Sequence, residues 1–386
     1  MRKNRSLNIL FIGVGQGGSR MAAEFGSLYD YVALAINNAE VDEVHSQIGL
    51  RRRLHLDTGI DGAGKNLLLG ESAVKKNAKK IHDFLKLYIT SEIDNIMVCV
   101  GCGGGMGSGG AMPLIEILEN YGKPIGVIGT LPLKSEDITT HRNCLVVLNK
   151  IFAKTNVSPL IIIDNAKISL KYPNLSAMEP WSPVNQDVAR IFHSFNMLTS
   201  FPSQIHSLDM ADYEMILRAG GCMVLGEATV NRFTEREVLA EAMRDSISTG
   251  LLADGFDLAT TKRAGIIIRG SSKALRSIKA ADIDYAFDHI REIVRGGTVY
   301  RGIYSIESHS DELFIYSIFG GLDLPMKRIQ TMMESTKEGL DSLQKKKDRG
   351  TIFDLESDLG SSLDDENVDP LLKFIRDKIS GEGEDF

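Results

Sequence analysis

The chain has 386 residues, 43% hydrophobic and 25% charged, with a formal net charge of −7, which excludes disordered, collagen-like and disulfide-scaffold classes and leaves room for two domains. It has no apolar run near ~18 residues, and the short run Leu7–Val14 lacks a small-residue cleavage site, so neither membrane insertion nor secretion is expected and the protein reads as cytoplasmic. Residues 350–386 hold eleven acidic and three basic side chains while the rest is nearly neutral, a balance that argues against direct nonspecific or sequence-specific nucleic-acid binding by the tail.

In chain order, short apolar runs at Leu7–Ile12, Tyr31–Ile36, Ile96–Val100, Ile125–Thr130 and Leu160–Ile163 read as buried parallel strands. Helical patterns at Ser19–Leu28, Asn66–Ile89, Ala111–Asn120 and Asp137–Ala153 separate them. This alternation predicts a doubly wound, mostly parallel α/β sheet over residues 1–181. Beyond Pro173, Pro180 and Pro183 a long central connecting helix is expected within 182–202. A smaller α+β C-terminal domain over 203–324 follows. It has helices at Ala211–Ala219, Glu235–Gly250 and Ala281–Val294, and strands at Cys222–Glu227, Ala264–Arg269, Thr298–Ser305 and Leu313–Phe319. A C-terminal helix at 325–349 leads into a flexible acidic tail, 350–386, too poor in large apolar residues to fold alone. Within that tail Pro370–Ile379 sets Leu371, Leu372, Phe374, Ile375 and Ile379 near one helical face, the pattern of either a frayed terminus or a peptide that docks on a partner.

Four cysteines are too few for a disulfide framework in a chain this long, and Cys99 and Cys102 form a lone C-x-x-C. No second pair or nearby histidine completes a zinc tetrahedron, so no metal site is expected there and core packing is the simpler reading.

Two glycine-rich turns carry the chemistry. The first strand runs into Gly13, Gly15, Gly17 and Gly18, and a second, denser turn spans Gly101–Gly110 between a strand and a helix. Bare backbone N–H groups at a helix start, backed by the helix dipole, favour phosphate. Taken alone, Gly13, Gly15 and Gly18 with Glu40 or Asp42 downstream would suit a NAD-dependent Rossmann oxidoreductase. Such an enzyme has no use for the second loop. A P-loop near-miss at Gly59, Gly64, Lys65 and Asn66 lacks the Ser or Thr hydroxyl that binds Mg²⁺.

The segment Gly103–Gly104–Gly105–Met106–Gly107–Ser108–Gly109 resembles the GGGTGSG signature of the tubulin/FtsZ superfamily of GTP-binding filament proteins. Further segments match in order. Gly13–Gly18, with Gly15, Gln16, Gly17 and Gly18, resembles the first phosphate loop, and Asn37–Asn38–Ala39–Glu40 the second nucleotide loop. Asp61–Asn66, including Gly64, Lys65 and Asn66, is similar to the loop facing the terminal phosphate, and Pro132–Asn143, with Glu136, to the ribose segment. Asn165, Asn185 and Asp187 stand where the family recognises guanine, whose N–H donors and O6 need an amide or carboxylate. Ser207–Asp212 resembles the N-x-D-x-x-D loop that enters the next subunit's pocket. The resemblance therefore implies that Asp209 and Asp212 are catalytic across a subunit contact, although an N-cap role for Asp209 is equally compatible with the residues.

Departures are Met106 for Thr, Ser207 for Asn, and Thr140 where division proteins carry Arg, with Arg142 two residues on. Leu131–Asp137 and Ile163–Lys167 are nearer the plasmid and phage TubZ branch, whereas Leu208–Gly221 is nearer the FtsZ division branch. The resemblance thus implies a GTPase activated by head-to-tail self-assembly, using GTP/GDP with Mg²⁺, for plasmid or phage DNA positioning through an adaptor on the tail. A division-ring role is the alternative.

Overall fold

The computed structural model describes residues 5–39, 48–59, 61–174, 182–203, 205–231, 235–248, 255–307 and 312–348, the side chains of Ser169, Ser248 and 340–348 excepted. Glu40, Asp42, Trp181, the acidic tail and its Pro370–Ile379 peptide lie outside the described residues.

The first half alternates strand and helix. Its elements are β1 (Ile9–Val14), α1 (Gly15–Tyr29), β2 (Val32–Asn37), β3 (Arg53–His55), α2 (Leu67–Lys76), α3 (Ala78–Leu85), β4 (Asn95–Gly101), α4 (Gly105–Glu119), β5 (Ile125–Leu131), α5 (Ile138–Phe152), β6 (Val157–Asp164) and one-turn α6 (Ile168–Lys171). The long helix α7 (Ser182–Leu198) leads to α8 (Met210–Leu217), β7 (Cys222–Val230), α9 (Arg236–Ser248), β8 (Arg263–Ser271), α10 (Ser272–Arg276), α11 (Ala280–Ile293), β9 (Thr298–Ile306), β10 (Leu313–Leu322) and α12 (Met326–Asp348).

The ten strands of the described residues join one sheet in the order β3-β2-β1-β4-β5-β6-β7-β10-β8-β9. From β3 to β6 every pairing is parallel, and β1, β4 and β5 are buried almost end to end, as helices on both faces require. The two halves of the sheet meet through two residue pairs only, Leu160 with Cys222 and Ile161 with Met223. Beyond that seam β10 runs antiparallel to both β7 and β8. The strand order reverses between β1 and β4, the switch point where open α/β sheets hold ligands.

Long-range polar contacts lock α7 and α12 onto this frame. Asn196 of α7, fully buried, donates to Leu7 O at 2.8 Å and to the Tyr31 hydroxyl at 2.9 Å, and accepts from Leu7 N at 2.8 Å. Arg328 of α12 and Asp164, 4% and 2% exposed, form a buried ion pair at 3.0 Å, and Arg328 also donates to Pro132 O at 2.7 Å. Such a pair needs every donor used, because neither charge has water to fall back on.

Three sequence expectations change. The helix expected over Asn66–Ile89 breaks at Asn77, whose φ of −100° and ψ of 14° leave the helical region while its side chain donates to Ala73 O at 2.9 Å. Helices α1 and α4 start at Gly15 and Gly105, earlier than the expected Ser19 and Ala111. These helical positions hold glycine because a side chain there would strike neighbouring backbone: a Cβ on Gly18 would lie 2.0 Å from Cys99 O, and one on Gly109 2.1 Å from Leu67 O. Finally, β3 was not expected, its three residues being too short and too polar for a pattern to show. The four cysteines are free and buried, in keeping with core packing, and burial pushes the Cys99 thiol far up.

Candidate functional site

A cavity of about 410 Å³ opens at the carboxyl ends of β1, β2, β4 and β5. Its wall takes in Val14–Gly17, Asn37–Ala39, Gly62–Lys65, Gly101, Gly103–Gly107, Thr130, Pro132, Glu136, Thr140 and Asn165. A smaller space of about 200 Å³ shares Gln16, Gly17, Thr130 and Asn165 with it and adds Arg20 and Asn185. Together they form an elongated site with glycine backbone at one end and amide side chains at the other.

The glycine end is built from two helix starts. α1 follows Val14 and α4 follows Gly104, neither start has a side-chain cap, and neither first turn carries an acid. By contrast α2, α5 and α8 are capped by Asn66, Asp137 and Asp209. The α1 and α4 starts therefore keep free N–H donors and the positive end of the dipole for an anion. Gly15, at φ +67°, allows the two loops to touch: a Cβ there would sit 2.9 Å from Gly107 N. Asn143 of α5 ties the remaining loops together, donating to Lys65 O at 2.7 Å and to Gly103 O at 3.3 Å.

Around the loop 62–65 the backbone turns left-handed at Gly62, Gly64 and Lys65. The Lys65 ammonium donates to the Asp137 carboxylate, which also accepts from Thr140 N at 3.0 Å. Burial raises the Asp137 carboxyl, but the Lys65 and Thr140 donors outweigh it and bring it down to about 2. On the facing wall Asn37 Nδ2 and Asn38 Oδ1 are buried without a protein partner, an arrangement that suits a polar ligand. Glu136 lines the cavity while accepting from Leu133 N at 2.9 Å.

The predicted residues therefore divide. Gly15, Gln16, Gly17, Asn37, Asn38, Gly64, Lys65, Gly103, Gly104, Gly105, Met106, Gly107, Glu136 and Asn165 share the main cavity wall, and Asn185 lines the smaller space. Gly18, Asn66, Ser108, Gly109 and Asp187 do not lie on either wall. Gly18 and Gly109 allow close packing, Asn66 caps α2 from 2.9 Å, and Ser108 Oγ donates to Cys102 O at 2.5 Å. Asp187 is taken up by Tyr172, by Lys171 at 3.0 Å and by Arg190 at 3.1 Å. Met106 sends its terminal methyl toward Gly110, beside Val14 and Val74, so the thioether that replaces a hydroxyl is absorbed by core packing.

Asp209 and Asp212 also lie outside both cavities. They form a reciprocal capping box on α8: Asp212 N donates to Asp209 at 3.0 Å, and Asp209 N to Asp212 at 3.3 Å. Burial raises the Asp212 carboxyl, with the neighbouring Asp209 charge adding to it. Their loop is clamped onto β9, since the Tyr304 hydroxyl donates to Leu208 O at 2.8 Å and accepts from Leu208 N at 3.1 Å, while Ile303 N donates to His206 O at 2.9 Å.

The sequence reading missed Thr130 and Arg20 on the walls, Asn143 behind them, and Tyr304 and Arg328 as supports. Asn143 had a signal, a polar residue on the buried face of an amphipathic helix; the others depend on contacts far apart in the chain.

Residues 8–172 match the family model of the tubulin/FtsZ family GTPase domain, and residues 194–333 that of the C-terminal domain of TubZ-like tubulin/FtsZ-like proteins. The chain belongs to the tubulin/FtsZ family. The tubulin-like protein CetZ of Pyrococcus horikoshii is 28% identical over 354 residues, 90% of this chain and 94% of the relative. The tubulin-like protein TubZ of Bacillus cereus is 25% identical over 361 residues, 86% and 82% of the two chains. The crystal structure of GDP-form protofilaments of Bacillus thuringiensis serovar israelensis TubZ shares the fold, with a TM-score of 0.77 at 20% identity over 91% of this chain and 95% of that one. This tubulin/FtsZ-family chain thus carries a GTPase domain, and the oxidoreductase reading of Gly13, Gly15 and Gly18 is set aside. Among the described residues no helix is long and apolar enough to cross a membrane.

Proposed function

We propose that this chain binds GTP in the elongated cavity, assembles head to tail into filaments, and hydrolyses GTP at the contact between successive subunits. The observation that carries the reading is the convergence of two uncapped helix starts on one cavity within a GTPase-domain sequence. Phosphoryl transfer to water needs positioning and charge neutralisation more than covalent chemistry. In this reading Gly15–Gly17 and Gly103–Gly107 hold the phosphates by backbone N–H, Glu136 meets the ribose, and Asn165 and Asn185 meet the guanine edge. The charge partners of Asp187 support an indirect role for it, steadying α7 beneath the base. Mg²⁺ arrives with the triphosphate, because among the described residues no three His, Cys, Asp or Glu side chains converge to hold it and this ion keeps its waters and phosphate oxygens.

That Asp209 and Asp212 stand off the chain's own cavity supports their use on a neighbour's nucleotide. Burial and a like charge favour proton acceptance by Asp212 from an attacking water. Apolar side chains are exposed beside both ends: Leu68 and Leu69 next to the 62–65 loop, and Ile205, Met210 and Met215 around the acidic pair. A contact that joins one end to the other is heterologous and propagates into a filament. The relatives' protofilament structures support this assembly. Two measurements test it. Turnover per subunit rises steeply above a critical protein concentration, and Asp212→Ala binds GTP and pellets but loses about 10²-fold or more in hydrolysis. A rate independent of concentration, or loss of GTP binding in Asp212→Ala, would refute the shared site.

For the cellular role, the TubZ-like C-terminal domain favours positioning of plasmid or phage DNA through an adaptor on the acidic tail over a division ring. Deleting the gene then causes loss of the DNA element with normal septation; a septation block would instead favour the ring.

A further inference from the structure

We propose that the acidic stretch 353–369 of the tail docks on a basic face of its own chain, built by α2, α3 and the short helical turn Leu50–Arg52. Residues 72–90 hold five lysines against one aspartate, and Lys75, Lys76, Lys79, Lys80 and Lys86 are all exposed. Lys75 and Lys76 stand in the last turn of α2, where a cation suits the helix dipole. Lys79 and Lys80 stand in the first turn of α3, where the dipole opposes a cation and no acid offsets it. Two contacts bring Leu50–Arg52 and β3 onto the same face: the Tyr88 hydroxyl donates to Arg51 O, and Lys80 Nζ donates to His55 O at 2.9 Å. Among the described residues Lys75 pairs with Glu71, whereas the exposed Arg51, Arg52, Lys76, Lys79 and Lys86 pair with no carboxylate. Leu50 and Leu87, 81% and 70% exposed, flank the Tyr88–Arg51 contact.

Cations and bare leucines together select an occupant that is both anionic and apolar, since a nucleic-acid backbone would answer the charge and leave the leucines in water. Stretch 353–369 has seven acidic side chains and no basic one, with Phe353, Leu355, Leu359, Leu363 and Val368 interleaved among them. It is also within reach. Gly339 of α12 packs on Ile138, a Cβ there lying 2.3 Å from Ile138 Cδ1, and the adjoining Asp137 pairs with Lys65, two residues before α2. Helix α12 ends at Asp348. Residue 353 follows within ~18 Å of extended chain and residue 369 within ~75 Å, against a length of about 15 Å for α2 itself. A tethered segment meets its own domain at an effective concentration on the order of mM, far above a second copy in dilute solution, so the contact forms within one chain.

Carbodiimide coupling of the full chain, without nucleotide and below the assembly concentration, tests this. The reagent condenses a lysine amine with a carboxylate in contact with it, so mass spectrometry finds Lys76, Lys79 and Lys86 joined to carboxylates of 353–369. In an equal mixture of unlabelled and isotope-labelled chains, each joined pair of peptides carries a single label. Arg51→Glu/Arg52→Glu keeps every lysine but repels the acidic stretch, and it lowers these products about fivefold. Salt at roughly 1 M, where the screening length is about 3 Å, does the same to the unaltered chain. Products spread evenly over the surface lysines, products confined to the neighbouring lysines 345–347, or pairs of mixed label would overturn docking on the chain's own face. Absence of the three products, together with sedimentation on phosphatidylserine vesicles that Arg51→Glu/Arg52→Glu abolishes, would also overturn it and give the face to a membrane.

Discussion

At the scale of single residues, the glycines of the two turns do different work that their letters do not separate. Gly104 immediately precedes α4 at the cavity, where a Cβ would meet nothing within 4 Å. Gly18 points at β4, where a Cβ would lie 2.0 Å from Cys99 O. Gly18→Ala therefore forces α1 off the sheet and destabilises the chain by about 1–3 kcal/mol. Gly104→Ala leaves ligand-free stability within about 0.5 kcal/mol while weakening GTP binding, because its methyl enters the phosphate wall. Denaturant unfolding with a parallel GTP titration checks both; a stability loss confined to Gly104→Ala would reverse the assignment. Dense glycine was legible as a phosphate signal, whereas the share of it spent on helix packing depends on backbone atoms 81 residues away for Gly18 and 42 for Gly109.

Elements were legible where one physical rule acted alone. The buried parallel strands follow from unbroken apolar runs, whereas the sequence reading did not give the pairing of the C-terminal strands, in which β10 runs antiparallel to β7 and β8 and β9 parallel to β8. Two helix starts were placed late because glycine weighs against helix locally while close packing favours it in the fold. The break at Asn77 and the β3 strand turn on local competition too weak for a periodic pattern. Least visible was the hold of α12 on the site, since Arg328 and Asp164 are 164 residues apart. Removing one partner of this buried pair strands the other charge, so Arg328→Met costs about 3–5 kcal/mol in denaturant unfolding. Asp164→Asn in the same background recovers part of it. A loss below about 1 kcal/mol would mean that α12 is not anchored through this pair.

Across the whole molecule, exposed apolar side chains flank both functional loops in the chain, Leu68 and Leu69 after the 62–65 loop and Ile205, Met210 and Met215 around the acidic pair. Placing charge on one of these faces separates nucleotide binding from assembly. The double variant Ile205→Glu/Met215→Glu binds GTP as tightly as the unaltered chain, fails to sediment with GTP, and hydrolyses it at a basal rate that no longer depends on protein concentration. Full sedimentation of that variant would put the contact face elsewhere. The cavity wall itself gathers stretches as far apart as Val14 and Asn165, from the ends of β1, β2, β4, β5 and β6 and from the loop before α2. No fragment of this chain owns half a pocket that it can fill early. During synthesis a cavity able to hold a nucleotide therefore exists only once the strands of the parallel half have paired.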